Sequence, residues 1–225
     1  MPDFAALRDR MVEQQLEARG IKDRLLLEAM REVPREAFVP ARIAEFAHED
    51  SPLPIEAGQT ISQPYIVALM IEAAGIAPGD KVLEIGAGSG YAVAVMGRIA
   101  AEVVGIERHK ELADLAAGRM ERFGYRNVRI LHGDGTGGLP SEAPFAAILA
   151  AASGSHIPEV LSSQLAIGGV LVMPIGEPHS IQSLVKVTRT SETDFANEDL
   201  GAVRFVPLIG THGWDEKGRA RPKTA

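Results

Sequence analysis

The chain has no cysteine, which removes disulfides, zinc–thiolate sites and thiol nucleophiles from consideration together. Its six histidines are scattered, with no H-x-x-x-H or H-E-x-x-H spacing, so no metal centre is expected. No apolar run reaches membrane-spanning length. The start, Met1-Pro-Asp-Phe4, carries neither the basic nor the apolar segment of a secretion signal. A cytoplasmic location and no membrane partner are therefore expected. Positive charge is in short supply, with 23 Lys and Arg against 30 Asp and Glu, and a net charge of −7 argues against a general nucleic-acid binder. There is no internal repeat. The 225 residues are enough for one substantial domain with a proper core.

Within that domain, Lys81-Val-Leu-Glu-Ile-Gly-Ala-Gly-Ser-Gly-Tyr91 is the most informative stretch. Lys81 to Ile85 predicts a short buried strand, Gly86, Gly88 and Gly90 a sharp loop, and Tyr91 to about residue 100 a helix. Such a unit presents bare backbone N–H groups at a helix N-terminus beneath a crevice. The spacing is G-x-G-x-G rather than the G-x-G-x-x-G of a dinucleotide cradle. Glu84, just ahead of the loop, would repel a pyrophosphate but suits a ligand carrying ammonium and sulfonium charges. The next strand, Glu102 to Ile106, ends in Glu107, placed to accept the hydroxyls of a ribose. A plain α/β turn with no ligand is the bland alternative. Together, the loop and the two carboxylates favour S-adenosylmethionine over NAD.

Around this unit the pattern runs from helical to alternating. Phe4, Leu7, Met11 and Val12 form one apolar stripe. Leu25, Leu26, Ala29, Met30 and Val33 form another, with Asp23 as its cap, and a short third helix is expected from Ala41 to Ala47. Ala47 to Gln63 has little period and two prolines, the mark of a functional loop. It leads into a helix from Pro64 to Gly75 that Ser62 or Gln63 could cap. Ser62 thus has two readings, a cap or a hydroxyl aimed at a substrate carboxylate. Strand and helix then alternate: a helix over Lys110–Phe123, strands over Asn127–Leu131, Phe145–Ala152 and Val170–Ile175, and a helix over Pro158–Leu165. Two more strands are expected at 181–190 and 202–209, joined by a polar excursion. Asp134 and Gly135 lie in a polar loop at a strand's C-terminal end, either a surface turn or a seat for an adenine amino group. The alternation predicts an α/β, doubly wound, mainly parallel sheet.

Val82-Leu-Glu-Ile-Gly-Ala-Gly-Ser-Gly-Tyr91 resembles the cofactor loop of class I S-adenosylmethionine-dependent methyltransferases. Val33-Pro-Arg-Glu-Ala-Phe-Val-Pro40, Glu49-Asp-Ser-Pro-Leu-Pro-Ile55, Gly58-Gln-Thr-Ile-Ser-Gln-Pro64 and Phe205-Val-Pro-Leu-Ile-Gly210 narrow the resemblance to protein-L-isoaspartate O-methyltransferases, over about residues 5 to 212. The resemblance implies a seven-stranded Rossmann-like sheet over 64–212 with a helical cap and substrate loop over 1–63; beyond it, the basic and polar residues 213–225 are expected to form a loose tail. It implies methyl transfer from S-adenosyl-L-methionine to the free carboxyl of L-isoaspartyl, and by family also D-aspartyl, residues of damaged proteins. The ester then closes to a succinimide that can reopen as normal aspartate. By position, Thr60, Ile61 and Ser62 fall to substrate binding, with Ser62 beside the transferring methyl. Glu84, Gly86, Gly88 and Gly90 fall to the methionine side, Glu107 to the ribose, and Asp134 with Gly135 to the adenine. A monomer acting on isoaspartyl proteins or peptides is implied. Glu56, Ala146 and the loop Ala151-Ala-Ser-Gly-Ser-His156 depart from the family pattern, and Glu56 would disfavour an anionic peptide if it faced one. A same-fold methyltransferase with another acceptor, and a weakly active binding module, stay open at this point.

Overall fold

The computed structural model describes residues 2–219. Helix α1 (Phe4–Met11) starts where the Asp3 carboxylate accepts the Ala6 N–H at 3.1 Å. It winds on through Val12–Leu16 and Glu17–Arg19, and stops at Gly20, whose φ of +95° needs glycine. The expected Asp23 cap opens α2 (Arg24–Glu32), accepting the Leu26 N–H at 3.0 Å. Ala41–Phe46, the expected third helix, is a tighter 3-10 segment. The loop after it contains a small antiparallel pair, β1 (Leu53–Pro54) with β2 (Thr60–Ile61), and then enters α3 (Pro64–Ala74).

From there the chain builds β3 (Lys81–Ile85), α4 (Tyr91–Met96), β4 (Glu102–Glu107), α5 (Lys110–Arg122), β5 (Val128–His132), β6 (Phe145–Ala150), α6 (Glu159–Ser162), β7 (Leu165–Ile175), β8 (Gln182–Arg189) and β9 (Phe195–Val203). These seven strands, β3 to β9, form one sheet in the order β5-β4-β3-β6-β7-β8-β9. Pairings from β5 across to β7 are parallel, and β8 and β9 complete an antiparallel edge. The chain moves outward from β3 to β5, then returns to place β6 on the other side of β3. That reversal opens a crevice at the C-terminal ends of β3 and β6, the usual ligand position in such sheets.

Both sheet faces are covered, so the central strands are apolar on both sides. Val82, Val103, Ala147 and Val172 pack with α2, α3 and α4, whereas Leu83, Val104, Ile148 and Leu171 face the layer that includes Leu161 of α6. Strand alternation therefore decides which side each residue of β3 serves, and it puts Glu84 on the side of Val82.

Three expectations change. The polar excursion after β8 is itself most of β9, because an exposed edge strand is held by backbone pairing and needs no apolar face. Residues 204–209 run on as a loop, touching the sheet through isolated bridges such as Ser153 with Pro207. Ala166–Gly169, expected as a turn, lies inside β7, with a register irregularity opposite Phe145–Ala147. Of the expected loose tail, Trp214 is 1% exposed and its indole N–H donates to the Ser153 carbonyl at 2.8 Å. Residues 220–225 lie outside the described residues. Among the described residues no helix is long and apolar enough to cross a membrane.

Candidate active site

The glycine loop leaves β3 with Gly86, Gly88 and Gly90 all at positive φ, +81°, +53° and +87°. Gly90 needs its hydrogen twice over, because a Cβ there would also meet Ala116 Cβ at 3.1 Å and Met120 Cε at 3.3 Å. The loop is fixed to the next strand: Gly86 N–H and Ala87 N–H donate to the Ile106 carbonyl at 2.8 and 3.1 Å. Glu107, at the end of β4, accepts the Gly88 N–H on one carboxylate oxygen and the His109 N–H on the other, both at 2.8 Å. Each oxygen keeps a lone pair for a further donor.

Glu84 is buried at 3% exposure, and among the described residues its Oε2 has no hydrogen-bond partner. Burial, reinforced by the Glu107 carboxylate, pushes the Glu84 carboxyl well above its ordinary range, with only a backbone N–H from Val93 opposing. An unpartnered buried carboxylate oxygen beside a glycine cradle suits a cationic ligand. A cavity of about 420 Å³ opens there. Its wall includes Glu84, Gly86, Gly88, Glu107 and Gly135, and on the opposite side Thr60, Ile61 and Ser62. The fold thus brings eight of the ten expected positions together around one cavity; Gly90 and Asp134 stand outside its wall. A second groove of about 450 Å³ adjoins it and shares Thr60, Ser62, Ala151 and Val206. Its other walls include Ile66, Ile181, Arg204 and Phe205.

Ser62 does not cap α3. The cap position is Gln63, with no side-chain cap bond, and the Tyr65 N–H instead points to an oxygen of Asp50 at 3.3 Å. Among the described residues the Ser62 hydroxyl has no hydrogen-bond partner, so the wall between cavity and groove presents it free. Asp134 is placed differently from the other expected residues. It is exposed and does not line the cavity. One oxygen accepts the Thr136 N–H and hydroxyl at 2.9 and 2.7 Å, and the other accepts the Thr211 N–H at 2.8 Å. Desolvation works against its ionised form, but these hydrogen bonds win and hold its carboxyl below the ordinary value. Gly135 forms the wall itself; a Cβ there would strike Ile85 Cγ2 at 2.8 Å. Glu56 lies outside the cavity wall, coupled to Arg119 of α5. Burial lowers the Arg119 guanidinium and the Glu56 carboxylate counters it.

Sequence reasoning gave no site role to Ala151 and Ala152, read only as part of a departing loop, nor to His179 and the Val206–Ile209 segment, all of which line the cavity. The last of these was visible as a motif but read as a strand. His179 carries no motif at all; its φ of +63° appears only in the folded chain.

The model for the protein-L-isoaspartate(D-aspartate) O-methyltransferase family matches residues 7–213. A protein-L-isoaspartate O-methyltransferase 1 of Rhodopseudomonas palustris is 59% identical over 211 residues, spanning 94% of this chain and 86% of its own. One from Protochlamydia amoebophila is 50% identical, with 91% and 97% covered. Among solved structures, a Plasmodium falciparum protein-L-isoaspartate O-methyltransferase in complex with S-adenosyl-L-homocysteine aligns with a TM-score of 0.77 at 28% identity, covering 90% of this chain and 98% of that one. With the glycine loop, the two buried carboxylates and the Thr60–Ser62 wall in place around one cavity, the chain belongs to the protein-L-isoaspartate(D-aspartate) O-methyltransferase family.

Proposed function

We propose that the protein methylates the free carboxyl of L-isoaspartyl residues, using S-adenosyl-L-methionine, and so starts their return to normal aspartate. The single observation that carries this reading is the position of Ser62, whose residue lines both the cofactor-type cavity and the adjoining groove. When bound, S-adenosylmethionine supplies the electrophile, a methyl on a positively charged sulfur that an oxygen nucleophile takes directly. The chain's own task is then alignment. A substrate carboxylate is already ionised near neutral pH, so no general base is required. The free Ser62 hydroxyl donates to that carboxylate and orients it. Thr60 and Ile61 continue the same wall, and the groove lined by Ile66, Ile181 and Phe205 accepts the flanking polypeptide. On the cofactor side, Glu84 faces the positive charges, Glu107 takes the ribose hydroxyls and Gly135 backs the adenine. In this reading Asp134 serves the adenine side indirectly, by holding the Gly135 turn to Thr211. Alignment with exclusion of water is worth up to about 7–11 kcal/mol when geometry is near-attack.

The placement of Glu56 favours this reading over a shifted acceptor, since it lines neither the cavity nor the groove. The test is transfer of labelled methyl to an isoaspartyl peptide beside its aspartyl twin. Base-labile label on the isoaspartyl peptide alone, reduced roughly 10- to 100-fold by Ser62→Ala, is the expected result. No label above the aspartyl control, from protein that binds S-adenosylhomocysteine, would overturn it.

A further inference from the structure

Arg35 is fully buried and, among the described residues, forms no ion pair with a carboxylate, an expensive arrangement for a cation. Its guanidinium forks. Nε donates to the Ala47 carbonyl at 2.7 Å and one terminal nitrogen donates to the Ser62 carbonyl at 2.7 Å, while the other terminal nitrogen meets no acceptor among the described residues. Those two carbonyls are the two ends of the substrate loop. The same guanidinium lies 4.7 Å from the ring centre of Tyr91, the first residue of α4 after the glycine loop. Burial lowers the Arg35 pKa to about 10, with Tyr91 opposing, so the group remains cationic at neutral pH. Burial likewise pushes the Tyr91 hydroxyl up to about 12, with the Arg35 guanidinium opposing.

A side chain kept only for stability would do better apolar, since replacing buried ions by well-packed hydrophobic groups is often neutral or stabilising. We infer that Arg35 is a positioning residue for methyl transfer: one guanidinium closes the Ala47–Ser62 loop and sets Ser62 against the helix that follows the cofactor glycines. This rests on the methyl-transfer reading above. Lysine keeps the charge but not the planar fork, so it cannot hold both carbonyls in the same geometry.

The experiment compares wild type, Arg35→Lys, Ser62→Ala and the double variant for kcat and KM with the isoaspartyl peptide. S-adenosylhomocysteine affinity and amide hydrogen exchange over residues 47–62 are measured alongside. Arg35→Lys is expected to lower kcat roughly 10- to 100-fold, as a displacement of about 1 Å would. It should also speed exchange in the loop while leaving S-adenosylhomocysteine affinity within about twofold. Because Arg35 acts through Ser62, the double variant should match Ser62→Ala within about twofold rather than multiply the two losses. Arg35→Met gives a second test, with the same kcat loss expected from protein that binds S-adenosylhomocysteine. Multiplicative losses, or wild-type kcat in a folded Arg35 variant, would overturn the assignment while leaving the activity reading intact. So would loss of S-adenosylhomocysteine binding in every Arg35 variant, which would make it a folding residue. No transfer by wild type would overturn both.

Discussion

Glu84 and Glu107 show how two carboxylates of one site are given different tasks by their surroundings. Glu107 is held by two backbone N–H groups, whereas the Glu84 carboxyl is buried with one oxygen unpartnered. Native Glu84 retains its proton at pH values where the unfolded chain has released it. The ligand-free protein should therefore lose stability as pH rises from the ordinary value of 4.5 toward the raised native one. A bound cation favours the ionised form, so S-adenosylmethionine should bind more tightly as pH rises through the same window, with release of a proton. Calorimetric titrations in buffers of different ionisation enthalpy would detect that proton. Glu84→Gln should abolish the release and flatten the pH dependence of Tm. Unchanged proton release in Glu84→Gln would place the titrating group elsewhere. Gly90 supplies a second residue-scale prediction. Gly90→Ala combines a left-handed backbone with a tight contact to Ala116, and should cost about 1–3 kcal/mol by urea unfolding.

Among the elements, the substrate loop depends on groups far from it in sequence. Asp50 accepts the Gln63 side-chain amide at 2.6 Å and faces the Tyr65 N–H, thereby capping α3 from thirteen and fifteen positions away. Asp50→Ala should loosen the entry to α3 and raise KM for the peptide, with cofactor affinity unchanged; steady-state kinetics with S-adenosylhomocysteine titration separate the two. This element was only partly legible. Its lack of period and its Thr60-Ile61-Ser62 segment pointed to a functional loop. Capping by Asp50 and closure by Arg35 could not be read from spacing, because both are contacts between segments distant along the chain. Local rules assigned the cap to Ser62 or Gln63; Gln63 takes the position but makes no side-chain cap bond, and the carboxylate facing the first turn comes from Asp50.

For the whole molecule, the C-terminal segment is part of the body. Trp214 is buried, its backbone N–H donates to the Leu208 carbonyl at 2.8 Å, and its ring closes on Ser153 behind the cavity-lining Val206–Ile209 segment. Trp214→Ala should destabilise by about 3–5 kcal/mol. Truncation after residue 212 should do at least as much and weaken cofactor binding with it. Thermal unfolding with and without S-adenosylhomocysteine checks both. At 100 times its Kd the ligand should add about 2.7 kcal/mol to the wild type, and a smaller gain is expected in the truncated chain.

The central architecture was written locally. Apolar runs on β3, β4 and β6, three glycines at alternate positions, and the carboxylates of Glu84 and Glu107 each follow from short-range sterics and burial, so period and spacing alone determined the α/β sheet and most of the residues expected around the cavity. The sheet edge, the C-terminal wall and the loop clamps were decided only in the folded chain. β9 is polar because it is an exposed edge, Trp214 is buried because Ser153 lies beneath it, and Ser62 is free because Asp50 and Arg35 do the anchoring. None of these leaves a periodic trace, since each arises where segments distant in sequence meet and exchange water for one another.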